Sequence, residues 1–257
     1  MIRSVTLSSD EGRRALQGLV DRFSEETGCR EVVRNILDRV RREGDAAVVD
    51  YCRRFDCPTM TAATLRVSEA EFARAEREVD DDFRATLRFA ADRVRRFHER
   101  ELDDSWLLTR DDGTITGRLV RPVDSAGLYV PGGTEGATPL VSSVLMNGLP
   151  ARIAGVGRRV MVTPPNRHGG VSAPLLVAAQ AIGIDEVYKA GSAWAIGALA
   201  FGTATIPRVD VIVGPGNQYV AEAKRQVQGR VRIDMLAGPS EVLVIADHTA
   251  DPAFIAA

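Results

Sequence analysis

Between residues 125 and 237 the chain alternates four times between a short β-branched run and an Ala- and Gly-rich stretch, and this alternation restricts the fold more than any other feature. The runs GLYVP (127–131), RRVMVTPP (158–165), EVYKAG (186–191) and VDVIVGPG (209–216) read as strands. Helical patterns follow them over 144–154, 172–182, 193–200 and 217–227. Four strand-helix units in about a hundred residues specify a parallel sheet with helices on both faces. In such a sheet the ligand site lies at the carboxyl ends of the strands.

The region before the sheet has a different texture. Over about 30–112 the sequence is charge-rich and nearly free of Gly and Pro, with apolar residues at helical spacing: Val33, Ile36, Leu37 and Val40, then Ala47, Val48, Tyr51 and Phe55. Ser68 followed by Glu71 is a capping-box pattern, and Phe83, Leu87, Ala90, Val94 and Phe97 mark the buried stripe of a further helix. The Arg and Glu residues between them read as solvated faces. At the other end EVLVIAD (241–247) has strand character, and Asp251 with Pro252 opens another helix. A domain rarely stops in the first turns of a helix, so a missing C-terminal portion is expected.

Composition excludes several function classes. The 33 basic and 35 acidic residues nearly balance, so no overall field recruits nucleic acid or an anionic membrane. Aromatic residues make up only 5%, which argues against a base-stacking surface. Cys29, Cys52 and Cys57 show no CxxC spacing, so neither a disulfide framework nor a cysteine zinc site is indicated, and a reducing, cytoplasmic setting fits. No window offers 18 consecutive apolar residues, and the acidic pair Asp10 and Glu11 precedes any apolar run, which argues against a membrane span or a secretory signal.

Two glycine-rich loops follow strands and precede helices: VPGGTEGATP (130–139) and GPGN (214–217). A backbone so placed offers N–H groups and the positive end of a helix to phosphate. Neither loop is a GxGxxG fingerprint or a P-loop, so spacing alone leaves tight turn and ligand loop equally open. Tyr129, at the end of the first strand, could stack on or hydrogen-bond a ligand, although local context favours a core tyrosine. Ser240 in AGPSE reads locally as a turn residue. His98 suits a packed or surface role, His168 lies in a loop and His248 ends a strand. None has metal-ligand spacing, and no GxSxG elbow occurs. Residue types alone therefore lead to a nucleotide-compatible α/β fold without a named reaction.

Longer strings carry more. GLYVPGG, SSVLMNGLPARIAGV, VMVTPP, ALAFGTATIPRVDVIVGPGNQYVAEAKR and IDMLAGPSEVLVIAD, with VVRNILDRVRREGDAAVVDYCRRFD in the helical region, together resemble the histidinol dehydrogenase family. The resemblance implies an α/β fold with two Rossmann-like parallel-sheet domains: 125–237 complete, and 25–124 plus 238–257 forming a domain cut short, after an N-terminal arm over 1–24. It implies two successive NAD-dependent oxidations that take L-histidinol through the aldehyde to L-histidine, with zinc as a second cofactor and a homodimer in the full-length form. Matched residue by residue, Tyr129 and Asn217 correspond to cofactor contacts and Ser240 to a substrate contact.

The sequence also departs from that family. A cofactor-contacting glutamine is replaced by Trp194, whose indole has one donor and no acceptor, so that contact is lost or becomes stacking. TEGATPLV lengthens the first loop between Gly133 and Ser142. The zinc ligands and the Glu-His pair that handles protons are expected beyond residue 257, which leaves no catalytic or metal residue in this chain and predicts inactivity for it alone. Oxidation of another alcohol, or a non-catalytic nucleotide-binding role, are the competing readings.

Overall fold

A computed structural model describes residues 5–21, 27–132, 139–236 and 244–256. Its centre is a sheet of five parallel strands: β3 (Ser125–Tyr129), β4 (Arg158–Thr163), β5 (Glu186–Lys189), β6 (Val211–Val213) and β7 (Arg232–Ile233). The order is β5-β4-β3-β6-β7, so the chain winds outward from β3 in one direction and then returns to wind the other way from β6. Register fixes the switch: Gly127 of β3 faces Val160 on one side and Ile212 on the other. A doubly wound sheet opens its ligand crevice at such a reversal, outside the carboxyl ends of the two strands.

Two cores flank the sheet because strand side chains alternate between faces. Tyr129, Val160, Val162 and Ile212 enter one core, with α2 (Thr27–Glu43), α3 (Asp45–Phe55), α8 (Ser192–Phe201) and α9 (Gln218–Val227). Ala126, Leu128, Val130 and Met161 enter the other, with α4 (Glu69–Glu78), α5 (Asp81–His98), α6 (Val141–Ile153) and α7 (Ala173–Ala181). Helices α7 and α8 are apolar nearly all round, as burial on several sides demands. The N-terminal helices thus pack on the helices within the strand-helix units, α2 on α8 and α9, α4 on α7 and α5 on α6. The segment before α4 also reaches the sheet edge, where Val67 N–H donates to the Val187 carbonyl and Lys189 N–H to that of Leu65.

The Ser68 capping box forms, with the Ser68 N–H donating to Glu71 Oε2 at 2.9 Å and the Glu71 N–H to Ser68 Oγ at 3.3 Å. Three expectations change. Phe55 and Phe97 are 63% and 65% exposed, outside the buried stripes assigned to them; each sits at the C-terminal end of its helix, past the last buried residue of that element. Inside the region read as helical lies a strand, β1 (Trp106–Thr109), which pairs antiparallel with β2 (Ile115–Arg118) just beyond it in a hairpin exposed at every position. Of EVLVIAD, residues 241–243 lie outside the described residues, and 244–247 form no strand; Val244 and Ile245 are exposed and have no sheet neighbour among the described residues. The remaining α-helices among the described residues are α1 (Asp10–Asp21) and the short α10 (Pro252–Ala256). Among the described residues no helix is long and apolar enough to cross a membrane.

Candidate functional site

The end of β3 and the loop after β6 meet at the switch point. Tyr129 is the last residue of β3 and is 4% exposed. Its hydroxyl accepts a hydrogen bond of 3.1 Å from the Ser192 N–H at the start of α8. Burial pushes the phenol up to about 12, against the opposing effect of that hydrogen bond, so it stays neutral and keeps its own O–H to donate. Its carbonyl accepts from Asn147 Nδ2 of α6 at 3.3 Å.

Gly214 of the GPGN loop packs against the same carbonyl. Its φ is +116°, and a Cβ there would lie 2.1 Å from the Tyr129 oxygen. Only glycine satisfies both demands. Asn217 is the N-cap of α9: its Oδ1 accepts from the N–H groups of Tyr219 and Val220 at 3.1 and 3.2 Å. Gly216, Asn217 and Gln218 are exposed at the positive end of α9, where a phosphate group finds backbone donors and a favourable dipole. Beside them a cavity of about 250 Å³ is lined by Asn147, Gly214, Gly216, Val220, Lys224 and Asp234. A larger hollow of about 750 Å³, with Arg121, Arg208, Arg230 and Arg232, opens at the amino edge of the sheet, away from both loops and from the end where doubly wound sheets bind ligands.

A second group of polar atoms lies along the carboxyl edges of β3, β4 and β5. Asp56 is pushed up to about 6 by burial, and its Oδ2 has no hydrogen-bond partner. Cys52 is pushed up to about 12 by burial and then by Asp56, so its thiol is protonated and unsuited to nucleophilic work. Thr163 Oγ1 and Trp194 Nε1 are likewise buried without partners. Trp194 is 5% exposed and stacks on Tyr51 and Phe55, with ring centroids 5.4 and 5.6 Å apart. Its indole is a core element against the protein's own rings.

The structure thus brings Tyr129 and the Asn217 loop together at one crevice. Ser240, and residues 133–138 of the first loop, lie outside the described residues. Among the described residues no group of three or more His, Cys, Asp or Glu is arranged to hold a metal ion, so they do not fit a zinc site. His98 pairs with Glu101 and lies edge-on to Phe97, while His168 and His248 are exposed. Sequence reasoning missed Lys224 and Asp234, which hold Gly214 from both sides. The available signal was the stripe Val220, Ala223, Lys224 and Val227, in which a charge occupies a core position of a helix.

Comparison with known proteins agrees with this architecture. The family profile described as histidinol dehydrogenase matches residues 21–257. The chain is 66% identical to histidinol dehydrogenase of Desulfotalea psychrophila over 258 residues, covering 100% of this chain and 59% of the relative. It is 52% identical to that of Nitratidesulfovibrio vulgaris, covering 99% of this chain and again 59% of the relative. The crystal structure of histidinol dehydrogenase from Elizabethkingia anophelis superposes with a TM-score of 0.79 at 40% identity, covering 88% of this chain and 51% of that one. The chain therefore spans a little over half the length of the relatives it matches, and it belongs to the histidinol dehydrogenase family.

Proposed function

We propose that this chain forms the dinucleotide-binding part of an enzyme that oxidises L-histidinol to L-histidine in two NAD-dependent steps. The observation that carries the reading is the meeting of Tyr129 and the GPGN loop at the sheet's switch point, beside the N-terminus of α9. Bound NAD would accept a hydride in each step. The protein's own contribution follows from the residues present. The exposed turn at 216–218 suits the pyrophosphate, the Asn217 amide keeps Nδ2 to donate, and Tyr129 has an O–H to offer from the end of β3. Ser240 is assigned to the substrate side. We place the zinc ligands and the proton-handling Glu-His pair in the portion of the longer relatives that this chain does not match, and expect no turnover from these residues alone. A cytoplasmic homodimer is the proposed setting.

The full-length protein, incubated with zinc, NAD and L-histidinol, should form two NADH per histidine released. NADH formation from a different alcohol but none from histidinol would replace the substrate assignment. The core position of Trp194, where the resemblance expects a cofactor-contacting glutamine, favours including other hydroxylated metabolites in that assay. Failure of the protein to bind NAD at all would overturn the reading.

A further inference from the structure

The GPGN loop is held by a charged pair, Lys224 and Asp234. Lys224 of α9 is 4% exposed. Its Nζ donates to the Gly214 carbonyl at 2.6 Å and to Asp234 Oδ1 at 2.5 Å. Asp234 Oδ2 in turn accepts from the Gly214 N–H at 2.8 Å. Both polar groups of one glycine are therefore bound by the two ends of one ion pair, closing a ring. The pair is itself anchored: Asp234 follows β7 and donates its own N–H to the Ile212 carbonyl of β6 at 3.2 Å, while Lys224 rides on α9, whose first turn follows the loop.

Burying an ammonium is costly, and an apolar residue of similar volume usually serves a helix core equally well. Lys224 shares the buried side of α9 with Val220, Ala223 and Val227, and with Glu222, which is paired with Arg225 of the same helix; packing against the apolar three has no need of the Lys224 charge. Its acceptors are the loop carbonyl and the carboxylate that holds the loop N–H, which is where the charge finds its use. Gly214 is already confined by its φ of +116° and by the Tyr129 carbonyl beneath it; the ring fixes the remaining freedom of the peptide planes on both sides.

We propose that Lys224 and Asp234 are positioning residues for the dinucleotide: they lock Gly214 so that the turn at 216–218 and the Asn217 amide are pre-set for the cofactor. This rests on the assignment of that loop to NAD. The test uses the full-length protein and its Lys224→Met and Asp234→Asn variants, with KM for NAD and kcat measured separately and amide exchange followed across 214–217. Pre-organisation lost from a binding loop appears in KM, so KM for NAD should rise about tenfold or more while kcat falls less than about threefold, with faster exchange at Gly214. The near-isosteric Asp234→Asn retains an acceptor for the Gly214 N–H and should show a smaller rise in KM, which keeps the test usable if Lys224→Met fails to fold. An unchanged KM for NAD in both folded variants, or equal losses in kcat, overturns the clamp while leaving the NAD site standing. A wild-type protein that does not bind NAD overturns the site assignment and the clamp with it.

Discussion

The hydroxyl of Tyr129 accepts the backbone N–H of Ser192 at 3.1 Å and so ties the last residue of β3 to the first residue of α8. Ser192 has φ of 48°, the only non-glycine positive φ among the described residues, so this hydrogen bond holds a backbone that would otherwise relax. Tyr129→Phe removes the acceptor and leaves a part-buried N–H without a partner. The expected loss is about 1–3 kcal/mol of unfolding free energy, read as a lower urea midpoint at unchanged slope. Because the same hydroxyl is assigned to the cofactor, KM for NAD should rise about two- to tenfold, the equivalent of one neutral hydrogen bond. Full stability together with an unaltered KM would show that neither contact matters.

Gly214 offers a sharper steric test. A methyl group there would lie 2.1 Å from the Tyr129 oxygen and 2.9 Å from Asn147 Nδ2, on a backbone with φ of +116°. Gly113, in the turn of the β1-β2 hairpin, has φ of +83° with nothing within 4 Å of its absent Cβ. Gly113→Ala should cost about 1 kcal/mol, from conformation alone. Gly214→Ala should cost more than about 3 kcal/mol or displace the loop and abolish NAD binding. Equal thermal shifts for the two variants would contradict the close approach of the loop to β3.

The parts of the fold legible in sequence were those whose burial leaves a pattern. Met161 and Val162 point to opposite cores, so β4 must be apolar on both sides, and that continuous run announces a central parallel strand. The hairpin carries no such mark: Trp106, Leu107, Leu108 and Ile115 are exposed and sit among charges, leaving no alternation to read. The two-residue β7 is too short for any period. Tyr129 was ambiguous for a physical reason, being both a core residue at 4% exposure and the end of the strand at the switch point. Lys224 escaped because periodicity treats a charge on a helix as solvent-facing, and only the fold reveals that its partners come from Gly214 and Asp234.

Asp56 predicts a pH dependence with a definite sign. Its carboxyl lies at about 6 in the folded protein against an ordinary 3.8, raised by burial. The folded state therefore holds the proton more tightly than the unfolded chain. The associated stability is complete below about pH 3.8 and is lost as pH rises through about 6. Above that range the buried charge costs at most about 3 kcal/mol, at 1.36 kcal/mol per pKa unit. Asp56→Asn should stabilise the protein at pH 8, have little effect at pH 4, and flatten the curve between them. Urea titrations at those two pH values provide the check, and a variant less stable at pH 8 than wild type would refute the assignment.

The ion pair Lys189–Glu71 ties the end of β5 to α4. Lys189 ends β5, is 4% exposed, and places Nζ 2.6 Å from Glu71 Oε1 on α4. Glu71 Oε2 also accepts from the Ser68 N–H and Oγ, so one carboxylate both caps a helix and neutralises a buried ammonium. Burial raises the Glu71 pKa, but the bonds to Lys189 and Ser68 outweigh it and hold the value below 4.5. This stability is present above the unfolded value and is lost as pH falls below it. Glu71→Gln leaves the ammonium unpaired and should cost about 3 kcal/mol, toward the lower end for breaking a buried pair because the Glu71 side chain keeps 20% exposure. Adding Lys189→Met removes the stranded charge, so the double variant should recover much of that loss. A double variant as unstable as the sum of the single ones would show that Lys189 contributes through packing rather than charge. The strain would also reach the site, since Lys189 lies three residues before Ser192, whose N–H holds Tyr129. Loosening α4 should therefore speed amide exchange at Ser192 more than at Gly214, which is anchored independently by Lys224 and Asp234.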